Sequence, residues 1–561
     1  MPAQTSPLRD TPVASPADQR YAERRVHKGL RLEKKGQLQD AIKCYFEAFE
    51  RNPRNLDALK LLGRQLGNLD ERVVALQLLE RALEVNRDDP DIYIMLGNIA
   101  LEMRMPDAAL KLFRIYVDLK PDDFVGYNNV ATALRSLEKF DEGIAVLQDV
   151  LPRFLEVGEL WNTLGTLVSQ RDGIEAAQPF FAEAVRLKPK MVTALANCAH
   201  GFEQAGIPEK VIEFGERAIA CDPEFSEAHF VTAAAHLVLG DLPRGWQEYE
   251  WRLHWKRPDA MLFMHGLPRW EGEDLTGKSI LVCPEQGVGD EIMFAGLLPE
   301  VYDTVEKLYV GCDPRLVSLF QRSFPDAVVG PYRDIMYNAK RHRDFPWLKE
   351  IDAEIDCYIE IGSLGRFLRP TLDSFPDRQG YLTPDPERVA FWRARFAELG
   401  EGPKIGVAWR SGLITHERSK EYTRIDMWGP VFAHKDKAQF INLQYGDCAE
   451  ERAEARDKFG VDLAVWEDIN LKDDLDDVTA LTAALDLAIT PGAAPGMIAI
   501  STGVPLWLTL RTPPYWTFGQ VDKTPLHSGA RLFNWPDGGE WVEEMAQIGR
   551  ELEQFIENFQ A

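Results

Sequence analysis

Three short stretches of the sequence combine residues able to hold an anion with residues able to move a proton. Gln286-Gly287-Val288-Gly289-Asp290-Glu291 follows an apolar run and opens an amphipathic segment, the order of a strand, a tight loop and a helix. Such a turn sets main-chain N–H groups and the positive end of a helix beside whatever enters a cleft. It also places the Asp290 carboxylate, with Glu291 next to it, at the mouth. Trp409-Arg410-Ser411-Gly412, after another apolar run, offers a guanidinium fork for phosphate and a hydroxyl donor; the alternative for Arg410 is an ordinary surface arginine. Pro491-Gly492-Ala493-Ala494-Pro495-Gly496 is built of small residues that either let main-chain N–H groups approach a phosphate or simply make a tight turn.

Further polar groups accompany these loops. His416, Arg418, Ser419, Lys420, Tyr422 and Arg424 form a dense basic stretch in an acidic surrounding, which reads as an anion site or as a solvated charge run. Gln444 and Tyr445, at the end of another apolar run, either meet a nucleobase or turn the chain. No Asp-x-Asp pair stands in a loop suited to a divalent cation, and no metal is expected.

Loops of this kind need strands and helices to aim them. From Lys278 onward apolar runs alternate with helical segments, the pattern that builds parallel sheets covered by helices. Strands are expected near 280–283, 308–311, 356–361, 404–409, 439–443, 463–466, 485–490 and 505–510. Residues 278–385 and 386–540 then make two Rossmann-like lobes, and 541–561 a final helix. Two facing lobes imply a cleft lined by the loops that come after the strands.

Residues 21–257 read differently, as an all-helical array with a period near 34 residues. The clearest unit has Trp161, Leu164-Gly165, Ala177, Phe181, Ala184 and Pro189, the landmarks of the tetratricopeptide pattern, and about seven units stand in succession. Gly or Ala lets the two helices of a hairpin touch, an aromatic fills the space between them, and Pro ends the second helix. Asn98, Asn128, Asn162 and Asn197 fall on first helices of such pairs; they are either a groove for an extended peptide or ordinary solvated and packing polars. Aromatics at Trp246, Tyr249 and Trp251 would close the array against the next domain, and 258–277 reads as a linker with Trp270 packed down.

Composition narrows the function classes. A net charge of -25 argues against nucleic acid and anionic membrane surfaces as partners. Seven cysteines without C-x-x-C spacing fit reduced thiols, and residues 1–20 read as a disordered tail with no signal peptide, so a cytoplasmic location is expected.

The chain resembles bacterial proteins that join tetratricopeptide repeats to a GT-B glycosyltransferase domain related to the lipopolysaccharide heptosyltransferases and, more distantly, to protein O-GlcNAc transferase. The residues that carry the likeness are Gly245-Trp246-x-x-Tyr249-Glu250-x-Arg252, Gln286 to Glu291, Val407-Ala408-Trp409, Asn442-Leu443-Gln444 and the stretch 481–505. Nearest in kind are the cytoplasmic flagellin glycosyltransferases, which attach nonulosonic acids such as pseudaminic acid. The resemblance implies an α/β GT-B domain of two Rossmann-like lobes after the all-α solenoid, and a metal-independent transferase with Asp290 as catalytic base. It also implies a protein acceptor, such as flagellin, presented to the Gln286 loop by the repeats. Heptosyltransferase-like relatives carry Asp-Thr-x-x-x-His in the last phosphate loop, where this chain has Gly492, Ala493 and Met497. That loss of charge favours a CMP-sugar donor over UDP-, ADP- or GDP-sugars. A helix N-cap remains the other role for Asp290. An inactive tetratricopeptide scaffold or chaperone, or a transferase acting on a glycan, remains the other reading of the whole.

Overall fold

The computed structural model describes residues 13–69, 71–255, 257, 260–337, 340–412, 422–511, 525–526, 529–535 and 541–560. The chain divides into two compact units, 1–194 and 195–561. The second unit therefore includes the last helices of the repeat array as well as the sheets.

The repeat region is a tetratricopeptide solenoid, with fourteen helices among the described residues from Pro16–Glu33 to Leu242–Tyr249. Several first helices start on a side-chain cap: the Asn55 side chain accepts from Ala58 N–H, and Asp89 accepts from Asp91 N–H with Pro90 at the first helical position. Inside three of the hairpins the expected glycine–aromatic fit is present, Gly29 with Tyr45, Gly97 with Phe113 and Gly165 with Phe181. Gly97 lies against the Phe113 ring, and a Cβ at Gly165 would stand 2.7 Å from the Phe181 ring, so only glycine lets these helices approach so closely. Phe113 and Phe181 are accordingly buried.

In the second unit, β2 (Ser279–Cys283), β3 (Lys307–Cys312), β4 (Val328–Pro331) and β7 (Cys357–Glu360) form a parallel sheet in the order β4-β3-β2-β7. A second parallel sheet has β8 (Lys404–Val407), β9 (Gln439–Asn442), β10 (Leu487–Pro491), β11 (Leu506–Arg511) and β12 (Ala530–Trp535) in the order β12-β11-β10-β8-β9. The central strands are apolar runs buried along their length, as strands covered on both faces must be. A third, small sheet of β1 (Leu262–Phe263), β5 (Arg333–Tyr337) and β6 (Lys340–Asp344) has no counterpart among the strands expected from the sequence. The strand expected near 463–466 is reduced to one bridge between Ala464 and Ile441, because Ala464 meets the edge of β9 for a single pairing. The stretch expected to be a linker contains β1, and Trp270 is buried with its indole N–H on the Glu273 carbonyl at 2.8 Å.

Trp246, Tyr249, Phe294, Ile292 and Leu508 share one core that runs from the last helical hairpin through both parallel sheets. The Trp246 indole N–H donates to the Arg369 carbonyl at 2.8 Å, and Gly365 leaves room for its ring. The closing helix, Val542–Gln560, packs Met545, Ile548 and Leu552 into a second core with Trp409, Trp428 and Phe432. No helix among the described residues is long and apolar enough to cross a membrane. All seven cysteines are free.

Candidate active site

Each parallel sheet has one place where successive connections leave in opposite directions. In the first sheet it lies between β2 and β7, and in the second between β8 and β10. Ligands of open α/β sheets bind at such points, beyond the carboxyl ends of the strands. The three stretches singled out in the sequence all fall at these ends, since β2 runs into the Gln286 loop, β8 into Trp409–Gly412 and β10 into Gly492.

The loop after β2 is bolted from beneath. Glu285 is buried, and its Oε1 accepts from Arg252 Nη2 at 2.7 Å and from Gly362 N–H at 3.1 Å; the same Arg252 nitrogen donates to Ser363 Oγ at 2.9 Å. Arg343, on β6, is fully buried with its guanidinium 3.7 Å from the centre of the Tyr332 ring, and it donates to the Glu285 carbonyl and, at 3.4 Å, to that of Gln286. With its carbonyls held inward, the loop turns Gln286 and Asp290 to solvent; both are exposed.

Asp290 and Glu291 sit in the first turn of the helix Val288–Phe294 but face opposite ways. The Asp290 carboxylate bends back toward its own loop, 3.1 Å from where a Gly287 Cβ would be. Glu291 is buried; Oε2 accepts from Asp313 N–H at 2.8 Å, and Oε1 lies 3.7 Å from Arg343 Nη1. Loss of hydration raises its carboxyl to about 8, against the pull of that N–H and the Arg343 charge. Glu291 is thus a buried group beneath the loop, and Asp290 is the exposed carboxylate of the two.

In the second lobe Gln444 is an internal bracket. It is buried; its Oε1 accepts from Trp409 N–H at 3.1 Å and Arg410 N–H at 3.0 Å, and its Nε2 donates to the Tyr445 carbonyl at 3.1 Å. Arg410 turns its fork onto Glu451, at 2.5 and 2.6 Å, and reaches the Asp447 carbonyl at 2.7 Å. Its charge is already matched inside the lobe. Ser411 Oγ and Tyr445 Oη lie 3.4 Å apart at the same strand end. Arg418 and Lys420 lie outside the described residues.

After β10, Ala493 N–H returns to the Pro491 carbonyl at 2.7 Å, Gly496 N–H to the Ala493 carbonyl at 2.9 Å, and Pro495 has no N–H. The Gly492 and Ala494 N–H groups are left without an acceptor among the described residues, at the start of the helix Ala494–Ser501. This turn meets the first lobe directly: a Cβ on Gly289 would lie 3.8 Å from Ala494 N and Cα. The Asp290 loop and the small-residue turn therefore face each other. Among the described residues no group of three or more His, Cys, Asp or Glu side chains could hold a metal ion.

On the repeats, Asn98 and Asn129 approach at 3.5 Å, and Asn128 Oδ1 accepts from Thr163 Oγ1 at 2.6 Å, so these amides link first helices of neighbouring hairpins. Asn162 lies on the next first helix, Gly158–Asp172, of the same unit. Asn197 belongs to the second unit.

Residues 72–124 match the tetratricopeptide repeat family. Protein FlbA of Caulobacter vibrioides is 35% identical over 528 residues, spanning 92% of this chain and 88% of that protein. The chain belongs to the FlbA family. Among solved structures, yeast Tom70 is 18% identical with a TM-score of 0.35, over 42% of this chain and 50% of Tom70. A tetratricopeptide repeat protein from Parabacteroides merdae is 14% identical with a TM-score of 0.36, over 41% and 91% of the two chains.

In this FlbA-family chain several residues that shape the site are not evident from sequence. Arg252 is visible only as the last letter of a junction motif, and its partner Glu285 lies 33 positions away. Arg343 stands in the polar run Lys340-Arg341-His342-Arg343-Asp344, which gives no sign that one member is fully buried. Glu451, the partner of Arg410, sits on the exposed-looking helix Ala449–Phe459.

Proposed function

We propose that this chain is a protein O-glycosyltransferase of GT-B type that transfers a sugar from a nucleotide donor to a serine or threonine of a polypeptide held by the repeat arm. The observation that carries the reading is the apposition of two strand-end loops, one bearing an exposed carboxylate and the other two open N–H groups at a helix start.

In this reading Asp290 accepts the proton of the acceptor hydroxyl as its oxygen bonds to the anomeric carbon, while the bond from that carbon to the donor phosphate breaks. The Gly492 and Ala494 N–H groups, with the positive end of their helix, take up the charge left on the phosphate, and the Ser411 and Tyr445 hydroxyls stand at the neighbouring strand end. Gln444 and Arg410 shape that strand end from within. A CMP-sugar is the donor of first choice, since the turn offers few groups to match a diphosphate, and flagellin is the acceptor of first choice. The reaction belongs in the cytoplasm, where nucleotide sugars are found.

Transfer to purified flagellin from CMP-, UDP-, ADP- and GDP-sugars, read out by intact mass, tests the reading. Asp290→Asn is expected to lower turnover about 10²–10⁴-fold, and wild-type turnover by that variant would remove Asp290 from the base role. A scaffold that keeps the fold without transfer is the second reading; the commitment of Arg410 to Glu451 favours it. Calorimetry separates the two, because a scaffold binds none of the four nucleotides.

A further inference from the structure

The small third sheet has the order β1-β6-β5, with β6 parallel to β1 and antiparallel to β5. β5 is an outer strand, and among the described residues no strand pairs with its far side. Along such an edge the N–H and C=O groups of alternate residues are left for solvent or for another chain. Proteins usually blunt open edges with charge, proline or brevity. Arg333 and Asp334 do so at one end of β5, but at the other Met336 and Tyr337 are 69% and 57% exposed. Trp255, 58% exposed, adds a further apolar ring at this end of the strand, because Lys340 pairs in register with Tyr337, donates to the Trp255 carbonyl and lies 4.5 Å from its ring centre. Tryptophan, tyrosine and methionine beside an unpaired ladder are residues that anchor polypeptides.

Charge selects among polypeptides. Of the charged side chains from 333 to 344 that reach solvent, the cations Arg333, Lys340 and Arg341 outnumber the carboxylates Asp334 and Asp344, in a chain of net charge -25; the fourth cation, Arg343, is buried. The Arg333–Asp344 and Arg341–Asp334 pairs are solvent-facing and hide little of that surplus. A second copy pairing edge to edge would set this positive hairpin against itself. An acidic strand from another protein meets it with opposite sign. We infer that the outer edge of β5, anchored by Met336, Tyr337 and Trp255, binds an extended acidic segment of a partner protein as a fourth strand. This requires only the edge, and stands whether or not the chain transfers a sugar.

The test uses the full chain and two blocked peptides of alternating Val and Thr, one flanked by Glu and one by Lys, with calorimetry and amide hydrogen exchange as readouts. The Glu-flanked peptide is expected to bind and to protect β5 amides, and the Lys-flanked one to bind about tenfold or more weakly. Replacing two of the three anchors, Trp255→Ser with Met336→Ser, changes no charge and is expected to weaken the Glu-flanked peptide about tenfold at an unchanged thermal midpoint. No binding of that peptide, equal binding by the double variant, or unprotected β5 amides would overturn the inference. So would a dimer in sedimentation that the double variant dissociates, since the edge would then belong to a second copy.

Discussion

Arg252 Nη2 donates to Glu285 Oε1 at 2.7 Å, with both side chains almost wholly shielded from water. The arginine comes from the turn that ends the last helical hairpin, and the glutamate opens the loop after β2. The pair, with Gly362 N–H and Ser363 Oγ, fills the point between β2 and β7 where an open α/β sheet would otherwise take a ligand. The first lobe therefore uses its crevice to fix the Asp290 loop, and the proposed function assigns the donor phosphate to the second lobe.

Arg252→Met leaves the buried Glu285 without its cation, whereas Glu250 keeps Arg269. Removing one partner of a buried pair costs about 3–5 kcal/mol, so denaturant unfolding should show a loss of that size. Adding Glu285→Leu should recover part of it, because the stranded carboxylate goes as well. A single-variant loss below about 1 kcal/mol would mean the bridge does not hold the loop.

Glu291 gives stability a pH dependence opposite to that of a salt-bridged carboxylate. Its carboxyl is raised from an ordinary 4.5 to about 8, chiefly by burial. Between those values the folded chain keeps a proton that the unfolded chain has lost, so this group's contribution falls as pH rises through the window and is level outside it. Glu291→Gln keeps an oxygen for Asp313 N–H and removes the titration. Its stability should vary less than wild type between about pH 5 and pH 8, and equal slopes would exclude Glu291 as the group responsible.

What the sequence disclosed depended on the range of the interactions. The repeats were legible because pairs such as Gly97 with Phe113 recur at a fixed local spacing, and β2, β8 and β10 because strands buried on both faces read as unbroken apolar runs. The β5–β6 hairpin was not, since exposed polar strands show no apolar alternation and the burial of Arg343 depends on carbonyls 57 and 58 positions away. The loops of the site were legible as glycine-rich strand ends, but the side chains on them were not assignable. Gln444 has the chemistry to read a base; only its partners, the Trp409 and Arg410 N–H groups, make it an internal bracket.

Arg410 and Glu451 can be told apart as loop support or donor contact. Arg410→Lys loses the two-pronged grip and Glu451→Gln loses its charge. Each should cost about 1.5–3 kcal/mol, the worth of hydrogen bonds to charged groups, and the two should change the donor KM alike. A rise in donor KM confined to Arg410→Lys would show that the guanidinium reaches the donor after all.

Gly289→Ala and Gly496→Ala separate the chemistry of the facing loops from their packing. A Cβ at 496 would stand 2.6 Å from Thr490 Oγ1 and 3.2 Å from the Pro491 carbonyl, both in the buried strand β10, so helix and strand must move apart. That overpacking should cost about 1–3 kcal/mol and lower activity and thermal midpoint together. A Cβ at 289 meets Ala494 at 3.8 Å, an ordinary contact, and alanine gains up to about 1 kcal/mol over glycine in a helical turn. Gly289→Ala should therefore fold at least as well as wild type. Its methyl nevertheless projects toward Ala494 on the facing turn, where the proposed reaction has the sugar pass from donor to acceptor. Turnover should fall about tenfold or more at an unchanged midpoint, as small misplacements in a positioned site do. Full turnover by a folded Gly289→Ala variant would mean that donor and acceptor meet somewhere other than between these two loops.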